Sequence, residues 1–267
     1  MSDFPSIYSV GGMKSDIIIE EKHYMPYKSF FNWSGGKDSS LALYHILNDK
    51  CYLVEKLLCN VNNQYGCISV HGVREELLEQ QAKAIDIPLQ KLLLPDQPSM
   101  IEYEEQMMQT MKQLQKEKFT HSLFGDIFLQ DLRTYRETQL AKVQMTAVFP
   151  LWKRDTAKLI HEFIDLGFKA IVVCVKAELL DESFAGRIID RDFLKDLPPG
   201  IDPCGENGEF HTFVFDGPIF KEPISCKSGK KVFREYKAPG NVKDESFNSE
   251  QKKPLLMGFW YCDLLAD

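Results

Sequence analysis

With 267 residues, 44% apolar and 27% charged, the chain is long enough for one large or two modest globular domains, and its composition excludes a disordered or fibrous protein. Its formal net charge of −7 argues against a surface built to grip a nucleic-acid backbone, so no nucleic-acid partner is expected. No apolar run approaches the roughly 18 residues of a membrane span, and residues 1–28 lack the pattern of a secretory signal, so no membrane association is expected and the expected compartment is the cytoplasm.

Residues 1–27 are polar and mixed and read as an N-terminal extension. From Lys28 the pattern alternates. Ser29–Trp33 predicts a short strand, and Asp38–Asn48 a helix. Tyr52–Cys59 predicts a buried strand, and His71–Asp86 a helix with Val73, Leu77, Leu78, Ala82 and Ile85 on one stripe. Leu89–Leu94 predicts a strand closed by Pro95, Met100–Lys118 a helix, His121–Phe124 a strand, Gln130–Val143 a helix, and Val148–Phe149 the start of another strand. Such alternation implies an α/β fold, a five-strand parallel sheet with flanking helices whose ligands sit outside the carboxyl ends of the strands. We expect residues 28–150 to form this domain.

Residues 151–267 continue with one helix (Thr156–Leu166) and one strand (Phe168–Val175), and then the texture changes. Phe210–Phe215, Val232–Tyr236 and Leu255–Cys262 predict strands without long helices between them, a smaller α+β portion suited to holding a substrate. The seven cysteines are odd in number, widely spaced and without a Cys-x-x-Cys pair, which argues against a disulfide framework or zinc ribbon. Most of them read as small buried apolar side chains. Four methionines between Gln97 and Gln115 read as core or as the cover of a groove, and the lysine clusters at Lys227–Lys231 and Lys252-Lys253 as solvated surface.

Two dense motifs carry chemistry. Ser34-Gly35-Gly36-Lys37-Asp38-Ser39 joins a strand to a helix. Its glycines let backbone amides face an anion, and the helix N-terminus adds partial positive charge. Lys37 supplies a full charge, Ser34 and Ser39 supply hydroxyls, and Asp38 is placed to hold a magnesium ion bridging phosphates. It is not a Walker loop, because Asp38 follows Lys37 where that motif requires Ser or Thr. The second motif is Asp202-Pro203-Cys204-Gly205-Glu206-Asn207-Gly208-Glu209-Phe210-His211. Period two puts Glu209 and His211 on one strand face, and Glu206 on the loop is able to converge with them. A carboxylate beside an imidazole can orient an amine or move a proton, whereas the bland reading makes all three solvated or structural.

The first motif resembles the signature Ser-Gly-Gly-x-Asp-Ser of the PP-loop ATP pyrophosphatases, with Lys37 marking the N-type branch. The second, running on to Asp216-Gly217-Pro218-Ile219-Phe220, resembles the carboxyl-terminal signature of the diphthine–ammonia ligase family within that group. Gly125-Asp126-Ile127 with Asp131 and Arg136, Pro150-Leu151-Trp152, Gly167–Ile171, and His71 with Gln81, Ala82, Ile87 and Pro88 are similar to further family segments. The resemblance implies a PP-loop domain that binds ATP and Mg2+ through Ser34, Gly35, Gly36, Lys37, Asp38, Ser39, Gly125 and Asp126, with Asp38 on the metal. It implies amide formation: a carboxylate, protein-borne or of a small molecule, is adenylated with release of pyrophosphate. Ammonia then takes the acyl group and AMP leaves, with Lys37, Asp38, Glu206, Glu209 and His211 as catalytic residues. A homodimer is compatible with it.

Where the family commonly has Gly-Ala-Ile followed by Tyr-Gln, this chain has Asp126 and Leu132-Arg133, and Val70 precedes His71 where the family has Phe. These departures surround the acceptor and mark a divergent member. Diphthine belongs to archaea and eukaryotes, so a bacterial host would need another acceptor. Two other classes stand beside this reading. An RNA-thiolating PP-loop enzyme would normally show paired cysteines and a basic surface. A non-catalytic adenine-nucleotide-binding module would need no second acidic motif.

Overall fold

A computed structural model describes residues 25–62, 67–68, 72–95, 98–237 and 256–267, with Cys67, Ile68, Lys237 and Leu256 as backbone. The extension through residue 24, His71 and Lys252-Lys253 fall outside the described residues. The expected alternation is present, with adjusted ends. Strand β1 (Tyr27–Asn32) leads to helix α1 (Lys37–Asn48), and β2 (Tyr52–Asn62) turns into a short β3 (Cys67–Ile68). Then come α2 (Glu75–Ile85), β4 (Leu89–Leu94), α3 (Met100–Lys116), β5 (His121–Leu123), α4 (Gln130–Ala141) and β6 (Thr146–Val148). Helix α2 begins later than its apolar stripe suggested, because Gly72 takes a left-handed φ of 66° and Arg74 is its extended N-cap. Val73 is therefore buried ahead of the helix rather than on it. Val148 closes a strand instead of opening one.

Hydrogen bonding orders the parallel strands β4-β2-β1-β5-β6, and β3 adds an antiparallel pair at the end of β2. Chain order therefore reverses at β1. The strands after α1 and α2 build outward on one side, and the crossover through α3 returns the chain to the other side as β5. A reversal of this kind leaves a crevice at the carboxyl ends of the strands on either side of it, here β1 and β5. The loop after β1 is Ser34–Gly36, and the residue after Phe124 at the end of β5 is Gly125, so both meet at that crevice.

Helix α5 (Thr156–Asp165), capped by Asp155, feeds β7 (Lys169–Lys176), and the short α6 (Arg191–Asp196) is capped by Asp190. Strands β8 (Phe210–Asp216), β9 (Cys226–Lys237) and β10 (Leu256–Ala266) complete an antiparallel sheet in the order β8-β7-β10-β9. The lysine cluster at Lys227–Lys231 lies inside β9, which runs well past the expected Val232–Tyr236. Clustered lysines on an edge strand read like a solvated loop in sequence and discourage edge-to-edge pairing in the fold.

The two sheets share a core. One buried cluster runs from Phe31, Leu43 and Leu77 in the parallel layer to Val172, Phe210 and Phe213 in the antiparallel one. A second cluster under α3 and α4 contains Phe30, Leu58, Leu92, Met111, Phe124 and Leu140. The shared core fixes β8 against α1, and the Val214 amide donates to the Gly35 carbonyl at 2.9 Å.

Candidate active site

The loop after β1 is shaped by its glycines. Gly35 has φ +75°, where a Cβ is strained, and a Cβ there would lie 2.7 Å from Gln81 Oε1. Gly36 is the extended N-cap of α1 and offers no side-chain cap, so the helix N-terminus opens without its own acceptor. Ser34 Oγ donates to Ser39 Oγ at 3.0 Å, and Ser39 Oγ donates to the Gly36 carbonyl at 2.9 Å, drawing the loop into a ring. Gly125 closes in from β5: a Cβ on it would sit 2.9 Å from the Ser39 amide nitrogen and 3.0 Å from the Asp38 carbonyl carbon. Here glycine is required by proximity of backbone to backbone rather than by its own φ.

Gln81 locks this loop in place. It is fully buried, and its Nε2 donates to the Gly35 carbonyl at 3.0 Å and to the Val214 carbonyl at 2.7 Å, while its Oε1 accepts from Trp33 Nε1 at 2.9 Å. A single amide thereby ties the phosphate loop, α2 and β8 together. The signal was present in the sequence as a polar residue on the apolar stripe of α2, between Leu78 and Ala82.

Lys37 is 4% exposed. Its amide donates to Thr212 Oγ1 at 3.0 Å, its Nζ to Asp38 Oδ2 at 2.7 Å, and the ammonium lies 5.5 Å from the Phe210 ring centroid. Burial works against its charge, but Asp38 and Glu206 outweigh burial and hold the ammonium protonated well above its ordinary range. Glu206 is pushed the other way. Burial, then the charge of Asp38, raises its carboxyl to about 8, with Lys37 opposing. Asp126 is also raised by burial, partly offset by Arg136, whose Nη2 lies 3.3 Å from Asp126 Oδ1.

These groups line one cavity of about 1090 Å³ over the carboxyl ends of β1, β2, β4 and β5. Ser34, Gly36, Lys37, Asp38 and Ser39 border it on one side, and Gly205–Gly208 with His211 and Thr212 on another. The wall from α3 and α4 is mostly apolar and aromatic, with Tyr103, Met107, Met108, Met111, Tyr135 and Leu140, and carries Glu104 and Arg136 as its charged groups. Three of the four methionines expected to fill a core or cover a groove line this one, and Met100 is exposed away from it. A drug-sized ligand fills roughly 300–1,000 Å³, so the cavity has room for a nucleotide and part of a second reactant.

Of the residues marked out in sequence, Glu206, His211, Gly125 and Asp126 join the phosphate loop at this cavity. Glu209 does not, and here the expectation is corrected. It precedes β8 rather than sharing a strand face with His211, is 2% exposed, and turns its carboxylate into its own loop. There it accepts from the amides of Asp202 at 3.1 Å and Asn207 at 2.8 Å, and from Asn207 Nδ2 at 3.0 Å. Burial raises a carboxyl, but these donors win and hold Glu209 below its ordinary value. It shapes the 202–207 loop and thereby places Glu206. His211 lines the cavity, and burial followed by the nearby Lys37 charge lowers its pKa to about 4. It is a neutral imidazole at neutral pH rather than the proton carrier that its unperturbed pKa suggested. Cys204 is buried, its thiol donating to the Thr156 carbonyl at 3.3 Å, and serves as the small apolar residue expected of it.

Among the described residues no cluster of three or more His, Cys, Asp or Glu is arranged to hold a metal by itself, and no helix is long and apolar enough to cross a membrane. Magnesium is usually held by one or two carboxylates together with substrate phosphates, and Asp38 beside the loop fits that pattern.

Two consecutive family models match the chain, the diphthamide synthase N-terminal domain over residues 27–145 and the diphthamide synthase C-terminal domain over residues 155–246. A curated diphthine–ammonia ligase of Danio rerio is 26% identical over 221 residues, covering 74% of this chain and 86% of that protein. The ligase of Homo sapiens is 27% identical over 134 residues, covering 48% of this chain and 50% of that one. The Schizosaccharomyces pombe ligase is 26% identical over 211 residues, 72% of this chain but 34% of that longer protein. Among solved structures, the U34-tRNA thiolase of Methanococcus maripaludis with its [4Fe-4S] cluster aligns at 16% identity and a TM-score of 0.32, over 53% of this chain and 57% of that one, too loosely to bear on function. With both halves of the family matched in order, and the phosphate loop and acidic loop meeting in one cavity, the chain belongs to the diphthine–ammonia ligase family of PP-loop proteins, ATP-dependent carbon–nitrogen ligases.

Proposed function

We propose that this cavity adenylates a carboxylate and converts it to an amide with ammonia. The observation that carries the reading is the placement of Glu206 beside Lys37 and Asp38, which brings the acidic loop of the second sheet onto the phosphate loop of the first. ATP lies with its β- and γ-phosphates on Ser34–Ser39, against the amides of α1 and the charge of Lys37. A magnesium ion held by Asp38 supplies neutralisation of phosphate charge. The acceptor carboxylate oxygen forms a bond to the α-phosphorus in line, and the bond from that phosphorus to the pyrophosphate oxygen breaks. Lys37 compensates the charge that builds on the departing pyrophosphate. Glu206 takes a proton from ammonium, the ammonia so formed attacks the acyl carbon, the bond to AMP breaks, and the departing AMP phosphate takes the proton that the new amide nitrogen sheds. Gln81, Thr212 and Glu209 hold these groups in register without touching the reactants.

The relatives' name makes diphthine the first acceptor to try. With it, ATP and 15N-ammonium, one AMP and one pyrophosphate are expected per 15N-amide, with no turnover when magnesium is chelated. Formation of ADP and phosphate, or nucleotide binding without turnover, would contradict the reading.

A further inference from the structure

Resting on the amide-forming reading, a second question is how an anionic acceptor enters a cavity that already holds a polyphosphate. Asp38 and Glu104 line the cavity and add to the repulsion, with the Asp126 and Glu206 carboxyls beside them. Among its lining residues the cations are Lys37, committed to the phosphate loop, and Arg136 from α4. We propose that Arg136, held by Asp126, is the positioning residue that receives the acceptor carboxylate.

The guanidinium carbon lies 4.2 Å from the Phe124 ring centroid, so the aromatic face supports it from the end of β5. On its edge, Nη2 meets Asp126 Oδ1 at 3.3 Å, a long contact for a charge-assisted pair. Arg136 Nε and Asp126 Oδ2 are both buried without a hydrogen-bond partner, two of the three such side-chain atoms among the described residues. Both belong to this pair, which is therefore incompletely satisfied as it stands. A planar carboxylate matches the guanidinium fork with two parallel hydrogen bonds, and Arg136 lines the cavity with 26% of its side chain exposed to receive one. The phosphates have Lys37 and the α1 N-terminus on another wall, whereas Arg136 comes from α4. Asp126 orients Arg136. This pairing makes a carboxylate-bearing acceptor the class that the site selects.

The test uses the full chain with magnesium, comparing wild type with R136Q and R136K. Affinity for α,β-methylene ATP, which cannot lose pyrophosphate, should stay within about threefold of wild type. KM for a diphthine-bearing protein should rise by ~30-fold or more in R136Q, the scale of truncating one partner of a buried charge pair. R136K should recover part of that loss, because it restores the charge without the fork. Independently of the true acceptor, propionate should bind saturably to the wild-type complex with the ATP analogue, read by saturation-transfer NMR, and not to R136Q. A matching loss of analogue affinity would make Arg136 a phosphate ligand and overturn the proposal. So would unsaturable propionate binding in wild type, unchanged propionate binding in R136Q, or a common loss of Tm and of both ligands in R136K. If wild type instead yields ADP, the ligase reading fails while the propionate measurement still decides the role of Arg136.

Discussion

Replacing Lys37 with alanine should lower kcat/KM for ATP by about two to three orders of magnitude, the usual effect of removing one preorganised charge donor. The side chain is enclosed between Asp38, Phe210 and the loop backbone, so no other cation can take its place without repacking. Its raised pKa keeps the ammonium charged throughout the physiological range, so its own titration adds no pH dependence to the loss. Lysine to arginine should not rescue it, because a buried pocket shaped for an ammonium does not admit the larger planar group. Steady-state rates together with thermal unfolding decide the matter. A variant that folds and turns over at close to the wild-type rate would show that the phosphates do not lie on this loop.

Glu206→Gln should cost ~100-fold in amide formation, the scale of a lost general base, while leaving affinity for ATP within a few-fold. The pH dependence gives a sharper reading. Burial and Asp38 raise the Glu206 carboxyl to about 8, so the ionised form that takes a proton grows in as pH rises toward that value. The wild-type rate should climb through this window, and Glu206→Gln should lose that limb, keeping only the slope that ammonium deprotonation gives to both. Stability moves the opposite way. A carboxyl with a raised pKa in the folded state binds its proton more tightly there than when unfolded. The ligand-free protein should thus lose stability as pH rises from the ordinary carboxylate range toward about 8, and the glutamine variant should lose less. Equal profiles for the two proteins would remove Glu206 from the proton path.

The parallel layer was legible because its signals are local. Period-3.6 stripes, glycine turns and the residues of Ser34–Ser39 lie within short windows, whereas the order of the strands and its reversal at β1 appear only in the fold. The second half was less so. Strand β9 was shortened because Lys227, Lys230 and Lys231 read as loop, and α6 is too short to leave a period. Within the site, a period of two put Glu209 beside His211, but the strand begins one residue later and the Asn207 and Asp202 amides capture the carboxylate. The neutral state of His211 and the raised pKa of Glu206 depend on burial beneath elements far apart in sequence, which no spacing rule contains. Gln81 and Thr212 hold the phosphate loop through contacts that also arise only when β8 packs on α1 and α2.

The central claim is attack by a carboxylate oxygen on the α-phosphorus of ATP. It is tested most directly by labelling the acceptor carboxylate with 18O and following the label through a single turnover with ammonia. One 18O should appear in the phosphate of AMP, with none in pyrophosphate, since the acceptor oxygen stays on the α-phosphorus when the acyl carbon–oxygen bond breaks. Appearance of the 18O in inorganic phosphate, with ADP as the nucleotide product, would contradict it.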